Sequence, residues 1–142
     1  MIVVDANLLI YAVNEDAPAH GHAKSWLEAS LVGPTAIGLS WTVLLAFLRL
    51  TTRRGLFQNP LPPDTAFDVV DEWIQQPAAM IIHPGTRHAR ILREILLPLG
   101  MGGNLTSDAH LAALAIEHNA ELCSADGDFA RFQGLRWRNP LA

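Results

Sequence analysis

The sequence predicts an α/β fold: a three-layer sandwich in which a short parallel sheet of four or five strands is covered by helices on both faces. Three observations carry that expectation. Brief apolar runs alternate with helical segments along all 142 residues, the order that builds parallel sheets. Half of the residues are hydrophobic and 17% are charged, which suits a packed core and excludes a disordered chain. Acids recur just beyond the strand runs, and open α/β sheets bind ligands in the crevice outside those carboxyl ends. At this length residues 1–142 are expected to form a single domain.

Taken in order, Ile2–Val4 reads as a buried strand with Asp5 at its carboxyl end, and Asn7 as the cap of a helix over Leu8–Val13. A helix is expected from Pro18 to about Leu31, with Ala19, Ala23, Trp26, Leu27 and Leu31 on one stripe. His20 and His22, at i and i+2, cannot share a helix face and read as a solvated turn. After the Gly33-Pro34 break, Thr35–Leu39 reads as a second strand, and Ser40 or Thr42 as the cap of a helix reaching about Thr52. That helix is apolar all round through Val43–Leu48, which predicts deep packing against the sheet.

Arg53–Pro63 is the clearest loop, and Asp64 is expected to cap a fourth helix to about Gln76. Met80–His83 reads as the third strand, followed by a helix from Thr86 to about Leu97 and a glycine-rich connection over Pro98–Asn104. Thr106 or Ser107 is expected to cap a helix from Asp108 to about His118. Glu121–Ser124 reads as the fourth strand, Asp126 and Asp128 follow it, and Leu135–Trp137 reads as a last edge strand.

The composition narrows the function classes. No apolar run reaches the roughly 18 residues a membrane span needs, and the first residues lack the pattern of a signal peptide. The single cysteine, Cys123, has no partner for an internal disulfide and reads as a small buried hydrophobe. A cytoplasmic protein without a membrane partner is the expectation. The net charge of −4 speaks against nucleic acid, but nine of the ten basic residues are Arg, gathered at 49/53/54, 87/90/93 and 131/136/138. Arginine is suited to bidentate phosphate contacts and to stacking on bases.

Asp5, Asp108 and Asp126 share one local logic. With right-handed connections all three project into the same crevice at the carboxyl edge of the sheet. Carboxylates gathered in one pocket repel one another unless a cation neutralises them. Hard oxygen ligands in an open site suit Mg²⁺ or Mn²⁺, which lowers the pKa of a bound water and stabilises charge on a leaving oxygen. Asp128, two residues beyond Asp126, is a further candidate ligand.

The residues carry a resemblance. Ile2-Val3-Val4-Asp5-Ala6-Asn7-Leu8-Leu9-Ile10 resembles the opening strand and first acid of the PIN-domain toxin ribonucleases of the VapC type. Gly103–Ala115, with Asp108, resembles their third acidic motif, and Ser124-Ala125-Asp126-Gly127-Asp128-Phe129 their fourth. Phe132, Gly134-Leu135 and Asn139-Pro140-Leu141 resemble the ending of many such toxins. The resemblance spans the whole chain and implies a PIN-like sandwich and a Mg²⁺-dependent endoribonuclease. It further implies Asp5, Asp108 and Asp126 as catalytic metal ligands, assisted by Asp128 and supported by Asn7 and Ser124. The partners it implies are an RNA substrate, a cognate antitoxin protein and a second copy of the chain in a homodimer.

One departure stands out. The family's second acid, usually a Glu in the helix after the second strand, would fall at or beside Ala46, and residues 41–50 contain no acid. A PIN domain that binds RNA or antitoxin without efficient cleavage is therefore the alternative. A phosphoryl-transfer domain fits poorly. Its late cationic side chain is missing, since the only lysine is Lys24, and Asn7 stands where a phosphatase wants a second Asp.

Overall fold

The structure, a computed structural model, describes residues 1–142. Its elements are β1 (Ile2–Val4), α1 (Ala6–Val13), α2 (His20–Leu31), β2 (Ile37–Ser40), α3 (Trp41–Thr51), α4 (Pro63–Ile74), β3 (Ala79–Ile82), α5 (His88–Leu96), α6 (Leu105–Glu117), β4 (Glu121–Cys123) and β5 (Trp137–Arg138). Short 3-10 turns follow α5 and β4.

The five strands form one sheet in the order β3-β2-β1-β4-β5, and every neighbouring pair is parallel. The α/β fold expected from the alternation of elements is therefore the one observed, with five strands. Right-handed crossovers put the helices of the β1–β2–β3 steps on one face and α5 and α6, on the return to β4, on the other. The direction of winding reverses between β1 and β4. Open sheets leave a crevice for ligands at such a reversal.

The strands are short and apolar because they are covered on both sides. Val3, Val4, Ile37, Leu39 and Leu122 are wholly buried and belong to one contiguous core of 33 residues. Helix α6 runs through this core. Five consecutive residues, Leu111–Ala115, are buried, three of them alanines whose small side chains let neighbours approach on every side. Between α3 and α4, Phe47 and Trp73 meet edge to face at 4.8 Å, so both aromatics serve the core.

Several local expectations change. Helix α1 begins at Ala6 and is capped by Asp5, not Asn7: the Asp5 carboxylate accepts from the Ala6 N–H at 2.7 Å. Of the two caps expected for α3, Ser40 is the one observed, accepting from the Thr42 N–H. Asp64 is no cap, because Pro63 already occupies the first helical position, where proline's fixed φ is favourable. Helix α5 starts at His88, two residues after Thr86. Helix α6 starts at Leu105 after Asn104 without any side-chain cap, so Thr106, Ser107 and Asp108 lie inside its first turn.

His20 is not in a solvated turn. Its Nδ1 lies 2.9 Å from the Tyr11 carbonyl and ties α2 to α1. Nor is α3 buried all round. Val43, Leu44, Phe47 and Leu48 are buried, but Trp41 is 43% and Leu45 58% exposed. An all-apolar sequence cannot reveal which stripe faces water.

Candidate active site

The β1 and β4 termini meet at the switch point. Val4 pairs with Cys123, and the Asp5 N–H extends that ladder by donating to the Cys123 carbonyl at 3.0 Å. Asp5 and Ser124 therefore leave the sheet side by side. Ser124 is fully buried and every part of its hydroxyl is used. It donates to Asp5 Oδ2 at 2.7 Å and accepts from Asn7 Nδ2 at 3.1 Å and from the Asp126 N–H at 3.0 Å. Asn7 Nδ2 also lies 3.3 Å from Asp5 Oδ2, and Asn7 Oδ1 accepts from the Ala125 N–H.

Asn7 is thus a bridge between the two strand ends. Asp126 in turn caps the following 3-10 turn, its Oδ1 accepting from the Asp128 N–H at 2.9 Å. On the outer side Trp137 of β5 donates from its indole N–H to the Ser124 carbonyl at 3.1 Å. A closed set of hydrogen bonds fixes the Asp5 carboxylate, and fixed carboxylates are what a preorganised site needs.

Asp108 comes to the same place from the first turn of α6. Its carboxyl is pushed up to about 6, first by burial and then by the negative charges of Asp5, Asp126 and Asp128. Asp5 is also raised above the usual carboxylate range, chiefly by burial, with Asp126 adding to the effect and the bonds from Ser124 and Ala6 opposing it. The structure therefore brings Asp5, Asp108 and Asp126 within electrostatic reach of one another. Asp128 is exposed and lies at the margin.

No basic side chain balances this group. The two ion pairs of the chain, His88–Glu117 and Arg138–Glu121, lie elsewhere. The donor set is all oxygen and carries excess negative charge, which fits a hard divalent cation that keeps several waters. As placed here, no three His, Cys, Asp or Glu side chains stand close enough together to hold a metal ion. A cation at this edge would have to draw the carboxylates inward and keep water in the rest of its shell.

Beside the acids lies a feature that sequence reasoning missed. Thr42, Ala46 and Arg49 of α3, Leu92 of α5, and Thr106, Ser107 and His110 of α6 line a cavity of about 520 Å³. Ala46, the position without the expected acid, is in its wall. His110 is oriented from behind, its Nδ1 2.9 Å from His88 Nε2. His88 Nδ1 lies 3.3 Å from Glu117 Oε1 without hydrogen-bond alignment, and both Glu117 oxygens accept from the Gly85 N–H at 3.0 and 2.8 Å. The residues of this row are far apart in sequence and have no shared local pattern to announce them.

Of the arginine clusters, Arg49 and Arg53 line cavities next to the site. Arg87 and Arg136 are occupied in holding backbone carbonyls, and Arg138 pairs with Glu121. Cys123 is fully buried, and burial pushes its thiol up to about 11. That makes it an inert core residue.

Comparison with known proteins agrees with this fold. Residues 2–135 match the PIN domain. The chain is 48% identical to Ribonuclease VapC37 of Mycobacterium tuberculosis over 142 residues, covering 100% of this chain and 99% of that one. It is 43% identical to Ribonuclease VapC33 of the same species over 141 residues, covering 99% of each. Among solved structures, VapBC2 from Rickettsia felis superposes with a TM-score of 0.69 at 20% identity, covering 98% of each chain. VapC20 of Mycobacterium tuberculosis, a toxin that cleaves the sarcin–ricin loop, does so with a TM-score of 0.68 at 22% identity, covering 96% of this chain and 99% of that one. With the acids at the β1/β4 switch point and these relatives matched along their whole length, the chain belongs to the PIN-domain family of VapC ribonucleases.

Proposed function

We propose that this protein is an endoribonuclease that hydrolyses RNA phosphodiester bonds with the help of Mg²⁺ or Mn²⁺, and that it is the toxin of a toxin–antitoxin pair. The observation that carries this is the gathering of Asp5, Asp108 and Asp126 at the β1/β4 switch point without a counter-charge. The ribonuclease names of relatives sharing nearly half of the sequence support it and weigh against a domain that binds without cleaving.

In this reading Asp5, Asp108 and Asp126 would hold the cation, with Asp128 assisting from the margin. When bound, the ion supplies Lewis acidity, lowering the pKa of water and offsetting charge on the leaving oxygen. Ser124 and Asn7 hold Asp5 Oδ2 and the Ala6 N–H holds Oδ1, so both oxygens of the carboxylate keep a fixed aim. Asp108 must give up a proton held more tightly than usual, so loading the site releases protons. Arg49 and Arg53 hold phosphates on either side.

Ala46 leaves the site one acid short, which favours one ion over two. The cytoplasm, an antitoxin seated over the acids and a homodimer complete the proposal. The solved VapBC complexes of similar fold support the antitoxin partner.

The test is cleavage of a single-stranded RNA by the purified protein in Mg²⁺ or Mn²⁺. Activity is expected to vanish with EDTA and with Asp5→Asn or Asp108→Asn. RNA left intact in both metals would overturn the proposal, as would cleavage that survives either substitution.

A further inference from the structure

We propose that the cavity between α3, α5 and α6 is a nucleotide subsite. Resting on the ribonuclease reading above, it would take one unstacked nucleotide of the RNA strand next to the bond that is cleaved. Its volume, about 520 Å³, is in the range of small-molecule pockets and exceeds what a phosphate alone fills. Its walls divide by chemistry. Ala46 and Leu92 offer an apolar surface for a base, Arg49 a guanidinium for a phosphate, and Thr42, Thr106 and Ser107 hydroxyls for sugar and base edges.

Two further observations point to a ligand. Arg49 has no carboxylate partner, because both ion pairs of the chain lie elsewhere. An unpaired arginine on a cavity wall is free to meet a phosphate, and its fork matches phosphate oxygens in pairs. His110 is the second. Its Nδ1 is engaged with His88 Nε2 at 2.9 Å, which leaves its other ring nitrogen as the one available to the cavity. The ring edge is also set by the 74° crossing of the two imidazoles at a centroid distance of 4.8 Å.

The absent acid acquires a meaning here. A carboxylate at Ala46 would project toward Arg49 and repel a phosphate. Alanine leaves both room and positive charge. Single-stranded RNA is commonly read by bases that leave the stack and enter such pockets, so the cavity would choose the nucleotide and thereby the cleavage position.

The experiment is binding of a fluorescein-labelled single-stranded RNA by anisotropy in EDTA, which blocks hydrolysis. Arg49→Ala is expected to weaken binding about tenfold and to lower the salt slope by about one phosphate contact. Ala46→Phe fills the cavity without touching any charge and is expected to weaken binding about tenfold as well. Arg136→Ala, at the opposite edge of the sheet, is expected to bind as the unaltered chain does. Circular dichroism melts of each variant establish that it is folded.

Unaltered affinity in both Arg49→Ala and Ala46→Phe would overturn the subsite. So would adenosine monophosphate binding as tightly as the oligonucleotide, which marks a site for free nucleotides. The two readings fail separately. RNA bound through Arg49 and Ala46 but never cleaved in Mg²⁺ or Mn²⁺ removes the ribonuclease and leaves the subsite. Cleavage lost in Asp5→Asn, with Arg49→Ala and Ala46→Phe binding normally, removes the subsite and leaves the ribonuclease.

Discussion

The two sides of the carboxyl-edge crevice are built on opposite principles. At the β1/β4 junction, Asp5, Asn7 and Ser124 spend their polar atoms on one another, and the acids left over repel. Across α6, the cavity beside Ala46 has an arginine without a partner, a histidine held from behind and three hydroxyls. One side is rigid, negative and suited to a cation. The other is roomy, basic and suited to a nucleotide. Under the proposed subsite, a chain lacking one acid would give that place to its substrate.

Breaking the negative side has the largest expected effect. Asp5→Asn should lower RNA cleavage about a hundredfold or more, and calorimetric titration should show Mn²⁺ binding lost. Asparagine caps a helix about as well as aspartate, so α1 should survive and the thermal midpoint of the metal-free protein should not fall. A large loss of stability would mean that Asp5 is structural first.

Ser124→Ala tests whether the rigidity matters. It strands the Asp126 N–H, removes a donor from Asp5 Oδ2 and leaves the Asn7 amide only its longer bond to Asp5, at a cost of about 1–3 kcal/mol in a urea melt. Loosening the support of a ligand should lower kcat about tenfold or more. Full activity in this variant would show that Asp5 needs no support.

Ala46→Glu sharpens the contrast by moving negative charge across the crevice. Affinity for Mn²⁺ should rise and RNA affinity in EDTA should fall, each about tenfold. If neither moves, the two sides are not electrostatically distinct.

Acidity offers a milder test. The Asp108 carboxyl is raised from 3.8 to about 6. Between these values the folded metal-free chain holds a proton that the unfolded chain has lost. The stability this contributes is full below pH 4 and disappears as the pH rises through 6. Asp108→Asn should therefore raise the midpoint at pH 7 in EDTA by about 2 °C, with little gain at pH 4. Mn²⁺ affinity should weaken below pH 6, where the ion competes with that proton.

Gly85→Ala has the smallest expected effect. A Cβ there would stand 2.6 Å from Glu117 Oε2, so the carboxylate must swing away and lose the Gly85 N–H. The cost is about 1 kcal/mol, and the His110 ring signals in NMR should shift as His88 loses its neighbour.

Much of this was legible in the sequence. The five parallel strands follow from apolar runs and their spacing, and Asp5, Asp108 and Asp126 stand where strand ends and a helix start are expected to converge. Local assignments went wrong where one residue serves two purposes. Asp5 both caps α1 and belongs to the acid cluster, so the sequence points to Asn7 as the cap, whereas the Asn7 amide bridges β1 to β4. Ser124 looked like one of two supporting residues, yet its burial makes it the hub. The row Glu117–His88–His110 joins positions 22 to 29 residues apart, and local pattern carries no information about such a meeting. The exposed stripe of Trp41 and Leu45 was hidden because α3 has no polar face there to contrast with.

The bond from the Trp137 indole to the Ser124 carbonyl has an optical consequence. It seats a natural fluorophore on the backbone of Ser124, the residue whose hydroxyl holds Asp5. Indole emission is sensitive to the field around it, so the protein carries an intrinsic reporter of charge arriving among its acids. With Trp26, Trp41 and Trp73 replaced by phenylalanine, the remaining signal would let cation loading be followed in real time, without a label and without RNA.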